Sequence, residues 1–181
     1  MNNNYAIPEY ALANDVKRVR KKLNMTQKEF AGLVCSSVPT IQRMESGKEK
    51  IKGPFVLLLK MIEDNVEYIE GLKIPKKDYP LRLYYMHNQK ICTIIDVDEV
   101  NQKVEIKNYT NNIMFRAFGI NEEPTYSDYE EFLKSRCFPE TRDKLKLVLE
   151  DLGLPFYDPL MIIEKTGGRM AEDDFWIKIE R

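Results

Sequence analysis

The sequence predicts two domains of different class: an all-α domain over residues 1–72 and a small α+β domain with an antiparallel sheet over residues 81–181, joined by a linker at 73–80. Three observations predict this. Up to about Gly71, apolar residues recur at the 3, 4, 7 spacing of a helix face. After Pro80 they fall in short runs rich in Ile, Val, Tyr and Phe, separated by turn residues. Between the two regimes, KIPKKDYP carries two prolines and three lysines, as an exposed connector does.

Each element follows from local signals. Val16, Val19, Arg20 and Leu23 share one face of a first helix. Thr26 with Glu29 forms a capping box, so a second helix starts near Gln27. Ser37 caps a third, with Pro39 tolerated in its first turn. Gly53-Pro54 precedes Phe55, Leu58, Leu59 and Ile62, a further helix expected to run through Glu63–Glu70 until Gly71 stops it. Strands are expected at Arg82–His87, Lys90–Val97, Lys103–Asn108 and Ile113–Phe118, with hairpin corners at His87-Asn88-Gln89 and Val100-Asn101-Gln102. Helices return at Ser127–Arg136 (capping box Ser127 with Glu130), at Pro139–Leu152 ending in Gly153, and at Pro159–Lys165 after the cap Asp158. Phe175–Ile179 closes as a strand.

Composition narrows the function. The opening MNNNYAIPEYA lacks the basic start and apolar run of a secretion signal. The longest apolar runs, such as Phe55–Leu59, fall far short of the roughly 20 residues that span a bilayer. A cytoplasmic protein without membrane contact is expected. Three widely spaced cysteines and one histidine, with no C-x-x-C, point to ordinary thiols rather than a disulfide framework or zinc site. The net charge of −1 conceals an asymmetry. Residues 1–60 hold 11 Lys/Arg against 5 Asp/Glu, and residues 61–181 hold 17 against 24, which fits a basic DNA-facing domain followed by an acidic one.

The basic region contains the most informative stretch, TQKEFAGLVCSSVPTIQRMESG at residues 26–47. It reads as a short helix, a tight corner and a second helix of the width the major groove admits. The first of such a pair crosses the DNA backbone and sets the angle of the second. Phe30, Ala31, Val34, Ile41 and Met44 are spaced to face inward and lock the pair, and Ala31 is small enough for a close crossing. Ser37, Val38, Pro39 and Gln42 are then expected on the outer face. Gln42 suits bidentate pairing with adenine, and Val38 and Pro39 suit a thymine methyl. Gln27 can offer its backbone N–H and side chain to a phosphate, and Lys28, Thr40, Arg43 and Lys48 are expected on phosphates, which position the protein without reading sequence.

Residues 14–62 resemble the Cro/C1-type (XRE) helix-turn-helix family through Thr26-Gln27, Glu29, Ala31, Ser37, Thr40-Ile41, Arg43, Glu45 and Gly47. The resemblance implies a pairing of Arg20 with Glu45. The sequence departs from the pattern at the corner, where the family's glycine is Cys35 and the following apolar residue is Ser36. A left-handed corner is costlier without glycine. The continuation, Gly53-Pro54 before Leu57-Leu58-Leu59, is similar to antitoxins of toxin–antitoxin pairs.

The second domain shows no catalytic constellation. Glu122-Glu123 and Asp173-Asp174 read as solvated or capping carboxylates, Gly167-Gly168 as a helix end, and His87 as a turn residue without a nucleophilic partner. Tyr84, Tyr85, Tyr109, Phe115 and Phe118 suit a sheet core better than base stacking. Residues 81–180 resemble the accessory N-terminal region of HipA-like kinases from Gram-positive bacteria, through Arg136, Pro139, Arg142, Leu152-Gly153, and Asp173 with Trp176. No nucleotide-binding loop or metal-binding aspartate of the kinase type accompanies them. The resemblance implies a regulator, an antitoxin that binds operator DNA with one domain and docks a HipA-like kinase with the other. One reading helix buries little surface, so a homodimer on a palindromic operator in double-stranded DNA is expected, and no enzymatic activity, cofactor or metal is expected. The alternative expectation is a phage or mobile-element inhibitor whose acidic domain blocks a host enzyme while the first domain controls its own expression.

Overall fold

In the computed structural model, residues 4–181 are described; Met1–Asn3, part of the opening segment read as lacking a secretion signal, lie outside the described residues. The described residues form two units, the first ending at Ile74 and the second spanning Pro75–Arg181.

The first unit is helical: α1 (Ala13–Lys22), α2 (Gln27–Leu33), α3 (Val38–Ser46), α4 (Pro54–Asp64) and α5 (Val66–Gly71). Val16, Val19 and Leu23 of the first helix face meet Phe30, Ala31, Ile41, Val56, Leu59 and Ile62 in one buried core. Burying side chains of this size contributes about 1.5–3 kcal/mol each, which short helices need to persist. The helix expected to run unbroken to Gly71 is interrupted at Asn65, whose backbone is non-helical (φ −130°, ψ 46°). Its side-chain amide donates to the Met61 carbonyl at 2.8 Å, a local bond that competes with the helical ladder.

The second unit holds an antiparallel sheet of β1 (Leu81–His87), β2 (Lys90–Asp98), β3 (Lys103–Asn108) and β4 (Phe175–Glu180), in the order β3-β2-β1-β4. The helices α6 (Tyr126–Ser135), α7 (Leu145–Asp151) and α8 (Pro159–Thr166) complete it. Strand alternation places Leu81, Leu83 and Tyr85 on one face with Ile95, Val97 and Ile177. That face packs in a core with Tyr129, Phe132, Leu133, Ile162 and Ile163 of the helices.

Four expectations need correction here. Ile113–Phe118 is not a strand: Ile113–Phe115 forms a 3₁₀ turn, because the Asn112 side chain caps the Met114 N–H (3.1 Å) and Arg116 ties back to the Thr110 carbonyl (3.0 Å). The capping box of α6 is Thr125 with Asp128, two residues before Ser127 with Glu130. The helix expected at Pro139–Leu152 begins only at Leu145, after a left-handed Lys144 (φ 57°). Residues 139–144 are exposed, and a short helix without a buried face is marginal. Asp173 caps, accepting from the Phe175 N–H at 3.0 Å, but it is more than a solvated or capping carboxylate: Arg136, buried at 7% exposure, grips it at 2.7 and 3.0 Å and also donates to the carbonyls of Gly168 and Phe175.

The segment read as a linker is, from Pro75 onward, sewn to the second face of the sheet. Buried Arg82 pairs with Asp96 through two 2.6 Å hydrogen bonds and donates to the carbonyls of Pro75 and Lys76. The Tyr79 hydroxyl donates to Glu105 at 2.6 Å.

Candidate nucleic-acid interface

The helix pair α2–α3 is fixed at both ends and in the middle. At its start, Thr26 Oγ1 accepts from the Glu29 N–H (3.2 Å), while the Glu29 carboxylate accepts from the Thr26 N–H (2.8 Å). The Thr26 N–H and the Thr26 hydroxyl, both donating to it, hold the Glu29 carboxyl below the ordinary carboxylate range. In the middle, Phe30, Ala31 and Ile41 are fully buried, while Val34 and Met44 are partly buried against the same core. The corner turns at Cys35 in the left-handed region (φ 51°), after which the Ser36 N–H reaches the Ala31 carbonyl at 2.8 Å. Cys35 therefore adopts the conformation that glycine holds at lower cost.

At the start of α3, Ser37 Oγ accepts from the Thr40 N–H (3.2 Å), and Pro39 sits in the first turn. The outer surface of α3 exposes Ser37, Pro39, Gln42 and Arg43, while Thr40 is half-buried. Val38 is also half-buried, packed against the core, so the expected outer face is narrower by most of one side chain. Among the described residues, the side chains of Gln42 and Arg43 form no hydrogen bond or ion pair, and those of Lys28 and Lys48 are exposed.

Gln27 is placed differently from expectation. Its side-chain amide donates to Glu45 at 2.8 Å, so what α2 offers outward there is a first-turn backbone N–H rather than the side chain. Glu45, 3% exposed, also receives two hydrogen bonds from Arg20, at 2.6 and 3.0 Å. Arg20 in turn donates to the Met25 carbonyl at 2.9 Å. The guanidinium, chiefly by hydrogen bonding, holds the Glu45 carboxyl low against the opposing effect of burial. Glu45 thus joins α1, the start of α2 and the end of α3.

Sequence reading missed the anchoring of the loop after α3. Ala11 and Ile51 exchange two backbone hydrogen bonds of 2.9 Å, and Lys50 lies 4.1 Å from the Tyr10 ring centroid. This fixes a loop that carries Lys50 and Lys52 beside Lys48, all exposed. The alternating lysines of GKEKIKG were the available signal, but the partner strand residue Ala11 has none.

Elsewhere, His87 packs between Phe115 and Phe175, with centroids 4.6 and 4.8 Å away. Cys92 and Cys137 are buried, and burial pushes the Cys137 thiol up to about 12, which leaves it unreactive. Among the described residues, no three His, Cys, Asp or Glu side chains are grouped to hold a metal, and no helix is long and apolar enough to cross a membrane.

Residues 16–59 match the family model described as helix-turn-helix, which covers α2 and α3 whole and most of α1 and α4. The first unit therefore carries the helix-turn-helix domain of a DNA-binding transcription regulator. No curated protein and no solved structure matches the chain.

Proposed function

We propose that this protein is a cytoplasmic, sequence-specific repressor that lays α3 in the major groove of an operator. The observation that carries the reading is the unengaged pair Gln42 and Arg43 on the open face of a helix whose opposite face is locked by Ile41 and Glu45. Gln42 reads a base, Arg43 and the lysines of the following loop bind phosphates, and the first-turn N–H groups of α2 take another phosphate. One reading helix buries little surface, so two copies bind a palindrome. Exposed Leu57, Met61 and Tyr68 on α4 and α5 supply an apolar surface for that dimer.

The second unit is the partner-binding half of an antitoxin, and its partner is a HipA-like kinase. Support for this is the resemblance carried by Arg136, Asp173 and Trp176. Footprinting on the DNA upstream of the protein's own gene tests the repressor, and co-purification with a kinase encoded beside it tests the antitoxin. Protection of a symmetric site is expected in the first and a stable complex in the second. An unprotected promoter would overturn the repressor reading, and failure to form a complex at micromolar concentration would overturn the antitoxin reading.

A further inference from the structure

The sheet of the second unit buries one face under helices; residues 75–79 cover one end of its other face, over Arg82, Asp96 and Glu105, and beyond that cover the face carries aromatic rings with cations over them. Arg169 lies 5.2 Å from the Trp176 ring centroid, Lys178 5.3 Å from that of Tyr84, and Lys107 5.1 Å from that of Tyr109. In register, Trp176 stands opposite Met86 and Lys178 opposite Tyr84, so two of these pairs adjoin across β4 and β1, while Lys107 on β3 stands opposite Ile94, which is buried. The strand carboxylates of this face are already engaged. Asp96 holds Arg82, Glu105 and Glu180 accept from the hydroxyls of Tyr79 and Tyr84, and Asp98 accepts from Asn101. Arg169 and Lys178 are exposed and stand in no ion pair among the described residues.

We infer that this face docks an acidic segment of a protein partner, one that alternates carboxylates with apolar side chains. The half-buried Trp176, Tyr84 and Met86 belong to the residue types enriched at protein interfaces, and the cations between them call for carboxylates. A single-stranded nucleic acid fits less well. Base stacking needs open ring faces, and here cations lie over them. The unit's 20 Asp/Glu against 16 Lys/Arg also repel a long polyanion. An extended acidic peptide places a few carboxylates locally and avoids most of that repulsion. The inference rests on the second unit being a protein-binding module, not on the partner being a kinase.

Trp176 is the sole tryptophan, so the emission of the full-length protein reports on this face directly. Titration with a short synthetic peptide alternating Glu and Leu is expected to give a saturable, salt-sensitive change in emission. The double variant R169E/K178E is expected to bind at least about tenfold more weakly, a loss of roughly 1.4 kcal/mol. Its far-UV circular dichroism should be unchanged, and R169Q/K178Q serves if charge reversal disturbs the fold. No saturable change, equal binding by the variants, or tighter binding of a single-stranded oligonucleotide would overturn the inference. A natural partner still retained by R169E/K178E would also overturn this surface while leaving the partner-binding reading intact. Peptide binding without any co-purified kinase would support the surface and count against only the antitoxin.

Discussion

The guanidinium of Arg20 and the carboxylate of Glu45 form a two-point clamp, at 2.6 and 3.0 Å, that fixes the end of α3 to α1. That helix is therefore held by a charge pair at one end and by Ile41 in its middle. Removing one partner leaves the other charge buried and uncompensated. Arg20→Ala is expected to destabilise the first unit by about 3–5 kcal/mol, read as a lowered unfolding midpoint in denaturant. An unchanged midpoint would mean the clamp contributes nothing.

The same clamp sets an acid limit. Folding lowers the Glu45 carboxyl below its ordinary value of 4.5, chiefly through the hydrogen bonds from Arg20. A group lowered by folding contributes stability that is fully present above the unfolded value and is lost as pH falls through the folded one. Stability of the first unit should therefore decline below about pH 4.5, with a shallower decline in Glu45→Gln. Identical pH profiles for the two proteins would contradict this assignment.

The left-handed Cys35 is a site where a smaller residue should help. Its thiol is exposed, so little packing is lost on removal. Cys35→Gly is expected to stabilise the first unit by about 1 kcal/mol, measured by equilibrium denaturation. A loss of stability would show that the corner is not strained.

The second unit has its own charged anchor, Arg136 with Asp173. Asp173→Ala strands a guanidinium that is nearly buried and should cost about 3 kcal/mol, visible as a drop in Tm. Asp173→Asn keeps hydrogen-bond acceptance and should cost less. Equal effects would show that the hydrogen bonds, not the charge, matter little.

Gln42 and Arg43 should separate reading from holding. Gln42→Ala is expected to lose about 1–3 kcal/mol of discrimination between operator and scrambled duplex. Arg43→Ala should weaken both duplexes alike and reduce the salt slope by about one unit. Binding titrations at several salt concentrations distinguish the two outcomes, and the reverse pattern would exchange the roles.

Much of this arrangement was legible in the sequence because it is encoded locally. Thr26 with Glu29, Ser37, and Asp158 each cap a helix within three residues of themselves. What escaped was decided by distant or competing contacts. Ser127-x-x-Glu130 and Thr125-x-x-Asp128 are equivalent patterns two residues apart, and the observed helix uses the latter. The β-rich composition of Ile113–Phe118 was overruled by Asn112 and Arg116, whose bonds to nearby backbone make a turn. At the candidate interface the exposed residues of α3 follow from helical spacing. The capture of Gln27 by Glu45 does not, because the two lie 18 positions apart and meet only once the helices have packed.

In the proposed function, α3 reads duplex DNA through its open face. Selection of bound duplexes from a random pool tests it most directly. The expected result is an enriched palindrome with half-sites about one helical turn apart, bound with an affinity that falls steeply with salt and losing its sequence preference in Gln42→Ala. A pool that emerges unenriched, with no salt-dependent affinity for any duplex, would contradict it.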